Sequence, residues 1–307
     1  MSRSTSLAAL LERRLVALHE HLPAALGGDV TGVHQARVAS RRLREALPVF
    51  AALDRGRVVA RALTSIRTIT RVLGPVRELD VALGHLADHV MAHPGEVHQG
   101  AVVRRWLEQA RAVRRDEMLA ALDRDVTARL WRRVDRLSAL ITPEAVADPD
   151  WRTTLARRIR RRADALRKAI EAAGVMYAPG PLHLVRIATK KLRYAVEFAG
   201  ELRLGATAAA LRALKRQQEL LGTIHDLEVL TGFADQAIAE SPGRVRPARL
   251  VGDWHRQCRE LHARYLRARP AMVRLGEAAG GELAAKVAGP RVLVARRRHR
   301  RHAHGAE

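Results

Sequence analysis

The chain has 307 residues, 48% of them apolar and 3% aromatic, enough for a sizeable core in one large domain or two of ordinary size. Its formal charge of +23, from 55 basic and 32 acidic side chains, excludes a balanced surface and implies an anionic partner: nucleic acid, an acidic membrane or a phosphate polymer. Cys258 is the single cysteine, so no internal disulfide forms, and no apolar run reaches membrane-spanning length.

Taken in order, the periodicity predicts helices near 2–22, 31–53, 56–73, 76–92, 97–122, 124–141, 143–173, 182–202, 206–221, 224–240, 246–269 and 271–288. The first of these meets Glu12, Arg13 and Arg14 too soon to be a signal peptide, and the cytoplasm is the expected compartment. Breaks are expected at "LGGD", at Gly74-Pro75, at "HPG" (93–95), at "APGP" (178–181) and at "SPG" (241–243). No alternating β-branched run occurs, so the fold class is all-α. After Pro290 the chain ends in "RVLVARRRHRRHAHGAE", a basic tail over 290–307 expected to be disordered. The tail histidines have no partner cluster, and no metal or cofactor is expected.

An internal repeat organises the rest. "VHQARVASRRLREAL" at 33–47 aligns with "LHLVRIATKKLRYAV" at 182–196, and "LGPVRELDV" at 73–81 aligns with "LGTIHDLEV" at 221–229. Two blocks in one order at nearly one offset indicate a duplicated unit, dividing the chain into 1–142 and 143–289.

On a helical wheel, Arg37, Arg41 and Arg44 share a side with His34, opposite Ala36, Ala39, Leu43, Ala46 and Leu47. His183, Arg186, Lys190 and Arg193 repeat that arrangement, with Arg42 and Lys191 flanking the two ridges. A solvated face accounts for one such helix. It gives no reason to keep the pattern twice, because crowded like charges cost stability unless an anion relieves them. Each histidine is expected in the first turn of its helix, where free N–H groups and the dipole suit phosphate. The dipole and the neighbouring arginines then favour neutral imidazole until a polyanion binds. A capping or core role for either histidine stays open. Glu78, Asp80, Asp226 and Glu228 read as early-helix carboxylates complementing the dipole, or as partners that hold arginines such as Arg77.

At these residues the sequence resembles the CHAD family, the conserved-histidine α-helical domain. The matching pieces are "VHQARVASRRLRE", "VLGPVRELDV", "LHLVRIATKKLRYAVEF" and "LLGTIHDLEVL", framing roughly residues 5–270. The resemblance implies two four-helix bundles related by a pseudo-twofold, with the repeated basic helices lining a central pore. It also implies non-catalytic binding of inorganic polyphosphate, and makes polyphosphate granules a compatible location. The positions carried over are His34, Arg37, Arg41, Arg42, Arg44, His183, Arg186, Lys190, Lys191 and Arg193, with Arg67, Arg77 and Lys215 secondary. Two departures stand out: Glu78 where an Asp is more usual, and His225 in place of the Arg77-type cation. No Glu-x-Glu-x-Lys signature of a fused triphosphate-tunnel domain is found, so a stand-alone form is expected. A basic helical protein associated with nucleic acid is the alternative. A polyphosphate-processing enzyme is a third, although no Walker loop, nucleophile arrangement or metal-type carboxylate spacing is found.

Overall fold

A computed structural model describes residues 6–51, 57–141, 150–240 and 248–289. Among these residues all regular structure is helical. In chain order the helices are α1 (Leu7–Leu26), α2 (Val30–Phe50), α3 (Val58–Ala92), α4 (Val97–Ala121) and α5 (Arg124–Leu140). There follow α6 (Asp150–Ala173), α7 (Pro179–Glu201), α8 (Ala208–Ala239) and α9 (Ala248–Ala278), the last continuing through a π turn at Ala279–Leu283 into α10 (Ala284–Ala288). The expected boundary near residue 142 and the tail after Pro290 lie outside the described residues.

Local chemistry sets several helix starts. The side chains of Ser6, Asp123 and Thr207 accept from the N–H groups of Ala9, Val126 and Ala210 at 3.1, 2.7 and 3.1 Å, each satisfying one donor left over by its helix. Asp29 does the same for Gly32 at the start of α2. Gly28, at φ +91°, makes the turn between α1 and α2, a conformation that costs other residues dearly.

The packing order runs in parallel through the two halves. α1 lies on α2, α2 on α3 and α3 on α4, while α6 lies on α7, α7 on α8 and α8 on α9. The halves meet through α2 against α6 and α7, and through α8 against α3 and α4. The larger hydrophobic core draws on both halves, from Leu7 to Val287, and a smaller one gathers around Leu86, Leu107, Leu230 and Trp254.

The expected breaks at Gly74-Pro75, Gly222 and Pro270 do not end helices. α3 runs through Pro75 for 35 residues, α8 through Gly222 for 32, and α9 through Pro270. The reason is tertiary. α3 lends Leu73 and Val76 to the large core and Leu79 and Leu86 to the small one; α8 does the same with Leu221 and Ile224, then Leu227 and Leu230. Anchored at both ends, each helix stays continuous despite the local cost of Pro or Gly. Glu78, Asp80, Asp226 and Glu228 therefore sit in helix interiors, which removes the dipole role expected of them. Instead Asp80 is buried against Arg111 Nε at 2.6 Å, and Glu228 accepts from the Tyr177 hydroxyl.

Candidate functional site

The basic sides of α2 and α7 line two adjoining cavities. The first, of about 390 Å³, takes His34, Arg37 and Arg41 from α2 and His183, Arg186 and Lys190 from α7. Its walls are completed by Arg77 and Glu78 of α3 and by His225 and Asp226 of α8. The second, of about 520 Å³, adds Arg44, Glu45, Arg67, Arg71 and Lys191, together with Arg158, Arg161 and Arg162 of α6. Arg37, Arg41, Gly74, Ile187 and Lys190 border both cavities, so the two form one continuous basic cleft. A larger cavity of about 690 Å³ lies elsewhere, between α3, α4 and α8, but its walls set Trp106 and Phe233 beside Glu78, Glu117 and Glu240 with Arg114 as the one basic residue, so acid exceeds base there.

Eight of the ten principal sequence candidates line this cleft, along with Arg67 and Arg77. Three candidates go elsewhere. Arg42 pairs with Glu197 at 2.7 Å, and Arg193 pairs with the same carboxylate at 2.7 Å while donating to Gln218 and stacking on Tyr194. A shared anion thus turns both arginines away from the cleft. Lys215 is exposed on α8, within 3.7 Å of Glu219 one turn on, and lines neither cavity.

The histidines sit deeper in their helices than expected. Each is the fifth helical residue, beyond the turn with free N–H groups. Asp29 already occupies the amide end of α2, and Pro179 and Pro181 remove donors from the first turn of α7. The helix-terminus anion site is therefore absent from both, and side chains carry the positive field. His183 instead meets His225, Nδ1 to Nδ1 at 3.1 Å with ring centroids 4.3 Å apart. Asp226 lies 3.7 Å from Arg186 and 3.8 Å from His85 on α3.

Arg37 reaches across to α3, where its Nη1 donates to the Thr70 carbonyl at 2.6 Å. This contact explains Gly74. A Cβ there would stand 3.2 Å from that same nitrogen, so the missing side chain leaves room for a guanidinium instead of marking a helix end.

The cleft penalises its own charges. Burial first, then Arg41, Arg186, Arg37 and Lys191, push the Lys190 ammonium down to about 6. Burial, Arg186 and His183 push His225 down to about 4. Burial and Arg41 lower Arg37 to about 10, against the pull of Glu78. His34 and His183 are lowered by burial before their cationic neighbours, Arg77 and Arg41 for one and Arg186 and Lys190 for the other. Desolvation and like charge act in the same direction at these sites, and an incoming polyanion reverses the second cause.

The α6 contribution escaped the sequence reading. The run "RRIRRR" at 157–162 was its only sequence signal, and it names no partner. In the fold, Arg158 Nε and Arg162 Nη2 grip the buried Glu45 carboxylate at 2.6 and 3.2 Å, tying α6 to α2 and bringing Arg161 to the cleft wall. Glu45, an exception on the basic ridge, is the anion that makes this packing tolerable.

Comparison with known proteins agrees with this architecture. The family model described as CHAD domain matches residues 9–235. The crystal structure of the CHAD domain from the plant Ricinus communis superposes with a TM-score of 0.60 at 24% identity, covering 90% of this chain and 91% of that one. PptA from Streptomyces chartreusis gives 0.55 at 18% identity, covering 90% and 97%. Uncharacterized proteins from two strains of Mycobacterium tuberculosis are 27% identical over 188 residues, 59% of this chain and 37% of their own length.

Proposed function

This chain belongs to the CHAD domain family, which is associated with polyphosphate, and from that premise we propose that it binds inorganic polyphosphate along the α2–α7 cleft without cutting it. One observation carries the reading: Lys190 sits among Arg37, Arg41, Arg186 and Lys191, and the charges acting on it most strongly are all cations. A cluster of this kind is costly when empty and favourable when threaded by an anion. Arginine forks can take two phosphate oxygens at once, and histidine and lysine add donors along the same line.

The cleft's shape favours a linear ligand over a single phosphate, since the two cavities join end to end through shared residues. Base stacking has little to work with, because Tyr194 is the only Phe, Trp or Tyr among the lining residues. Glu78 and Asp226 face arginines, which suits them to orient cations better than to activate a nucleophile. Among the described residues no helix is long and apolar enough to cross a membrane.

A thermal scan with polyphosphates of defined length tests the proposal. At a hundredfold excess over the dissociation constant, binding should add about 2.7 kcal/mol of stability at low salt. With about eight phosphates engaged, the slope of log affinity on log salt should approach about −6. Absence of a melting shift at low salt refutes the reading. Efficient displacement of polyphosphate by duplex DNA would favour the nucleic-acid alternative.

A further inference from the structure

Away from the basic cleft, three ligand-type side chains from separate elements converge. His89 lies in the last turn of α3, Glu96 ends the 3₁₀ turn before α4, and Asp253 lies near the start of α9. One ligand atom from each falls within 4.8 Å of the other two. We propose that His89, Glu96 and Asp253 bind a divalent transition-metal cation of the zinc class, clamping α9 to the α3–α4 junction.

Ligand atoms converge here in a restrained place. The His89 side chain is 4% exposed and that of Glu96 13%, and the two meet Nε2 to Oε2 at 2.9 Å. Asp253 brings a second carboxylate that is itself only 20% exposed. Two carboxylate oxygens and one imidazole nitrogen therefore lie together as a three-atom donor set. Arg256 contacts Asp253 but is 59% exposed and does not reach Glu96. A divalent cation between the three ligands uses all of them at once. Ligand-to-metal distances near 2.1 Å require ligand atoms roughly 3 to 4.2 Å apart, so the His89–Glu96 pair at 2.9 Å and an outer separation of up to 4.8 Å need shifts of only about half an ångström.

The surroundings hold the imidazole for this task. His93 stacks on His89 with centroids 4.4 Å apart, and Trp254 meets it edge-on at 5.6 Å. The main chain also pins the stack, with His93 Nδ1 hydrogen-bonded to the His89 carbonyl at 3.0 Å. One nitrogen and two carboxylate oxygens suit zinc, cobalt or manganese better than copper(I), which prefers sulfur, or magnesium, which prefers oxygen alone. Sequence spacing hid the set, because Asp253 comes from the other half of the chain.

Zinc binding by equilibrium dialysis, with elemental analysis, decides the matter without reference to polyphosphate. The full chain should carry His299→Ala, His302→Ala and His304→Ala to silence its terminal histidines. It should then retain one equivalent at micromolar free zinc. His89→Ala and Asp253→Asn, added separately, should each weaken that equivalent by about 100-fold. Asp253→Asn keeps the side-chain shape and removes only the charge, so it reports even where His89→Ala fails to fold. Equal zinc retention in the parent and Asp253→Asn chains overturns the proposal, as does no retained zinc in the parent.

Discussion

Replacing Lys190 by methionine should make the empty protein more stable and the polyphosphate complex weaker. The sign follows from proton linkage. Lys190 is lowered from 10.5 to about 6, so between those values the unfolded chain holds a proton that the folded chain releases. Stability therefore rises with pH across that window, and below pH 6 the penalty is complete. At pH 7 the gap up to 10.5 corresponds to about 5 kcal/mol at roughly 1.4 kcal/mol per unit. The cleft opens to solvent, and screening there reduces the recoverable part to about half. Methionine matches the length and flexibility of the lysine stem and carries no charge. The expected outcome is a melting temperature higher by about 5 °C without ligand. Affinity should fall, and the salt slope should become shallower by about 0.7 for one lost phosphate contact. Circular-dichroism melts and binding titrations at several salt concentrations read both. A variant that melts below the parent would show that Lys190 is not strained when the cleft is empty, and one that keeps its salt slope would show that Lys190 is not in contact with phosphate.

Three other perturbations probe the same cleft. Folding stability and ligand affinity should respond oppositely to pH. His225, lowered from 6.5 to about 4, makes stability rise with pH between those values, as Lys190 does above pH 6. Binding should instead strengthen as pH falls toward 6 and take up protons, which calorimetry in buffers of different ionisation enthalpy measures. Glu45→Gln leaves Arg158 and Arg162 without their carboxylate, and should cost about 3 kcal/mol while enlarging the melting shift caused by polyphosphate. Chemical denaturation should detect the loss directly. Gly74→Ala gains up to about 1 kcal/mol of helix propensity but crowds Arg37 against its contact with Thr70. Stability should change little, and affinity should drop several-fold in a direct titration.

Much of the helical content was legible in the sequence because an amphipathic helix writes its own period. The two faces of α2 follow from spacing alone: Ala36, Leu43 and Leu47 are fully buried, while His34, Arg37 and Arg41 line the cleft. Local signals failed where tertiary packing outweighed them. Gly74-Pro75 reads as a break, yet two separate cores hold α3 on either side of it. The histidines read as first-turn residues, yet α2 begins at Val30 and α7 at Pro179, which places both in the second turn.

A basic, helical chain with two matching cationic ridges can be read from the amino-acid order alone. Periodicity and charge are properties of each segment and need no partner to be read. Which cations share a space and which are neutralised depends on the packing of the helices. Arg41 and Arg42 are neighbours in sequence, but one faces Lys190 and the other Glu197, because a helix turns about 100° per residue. Arg158 and Arg162 join the site through Glu45, more than a hundred residues away. Electrostatic partners are set by distance in space, and packing of the apolar faces fixes that distance.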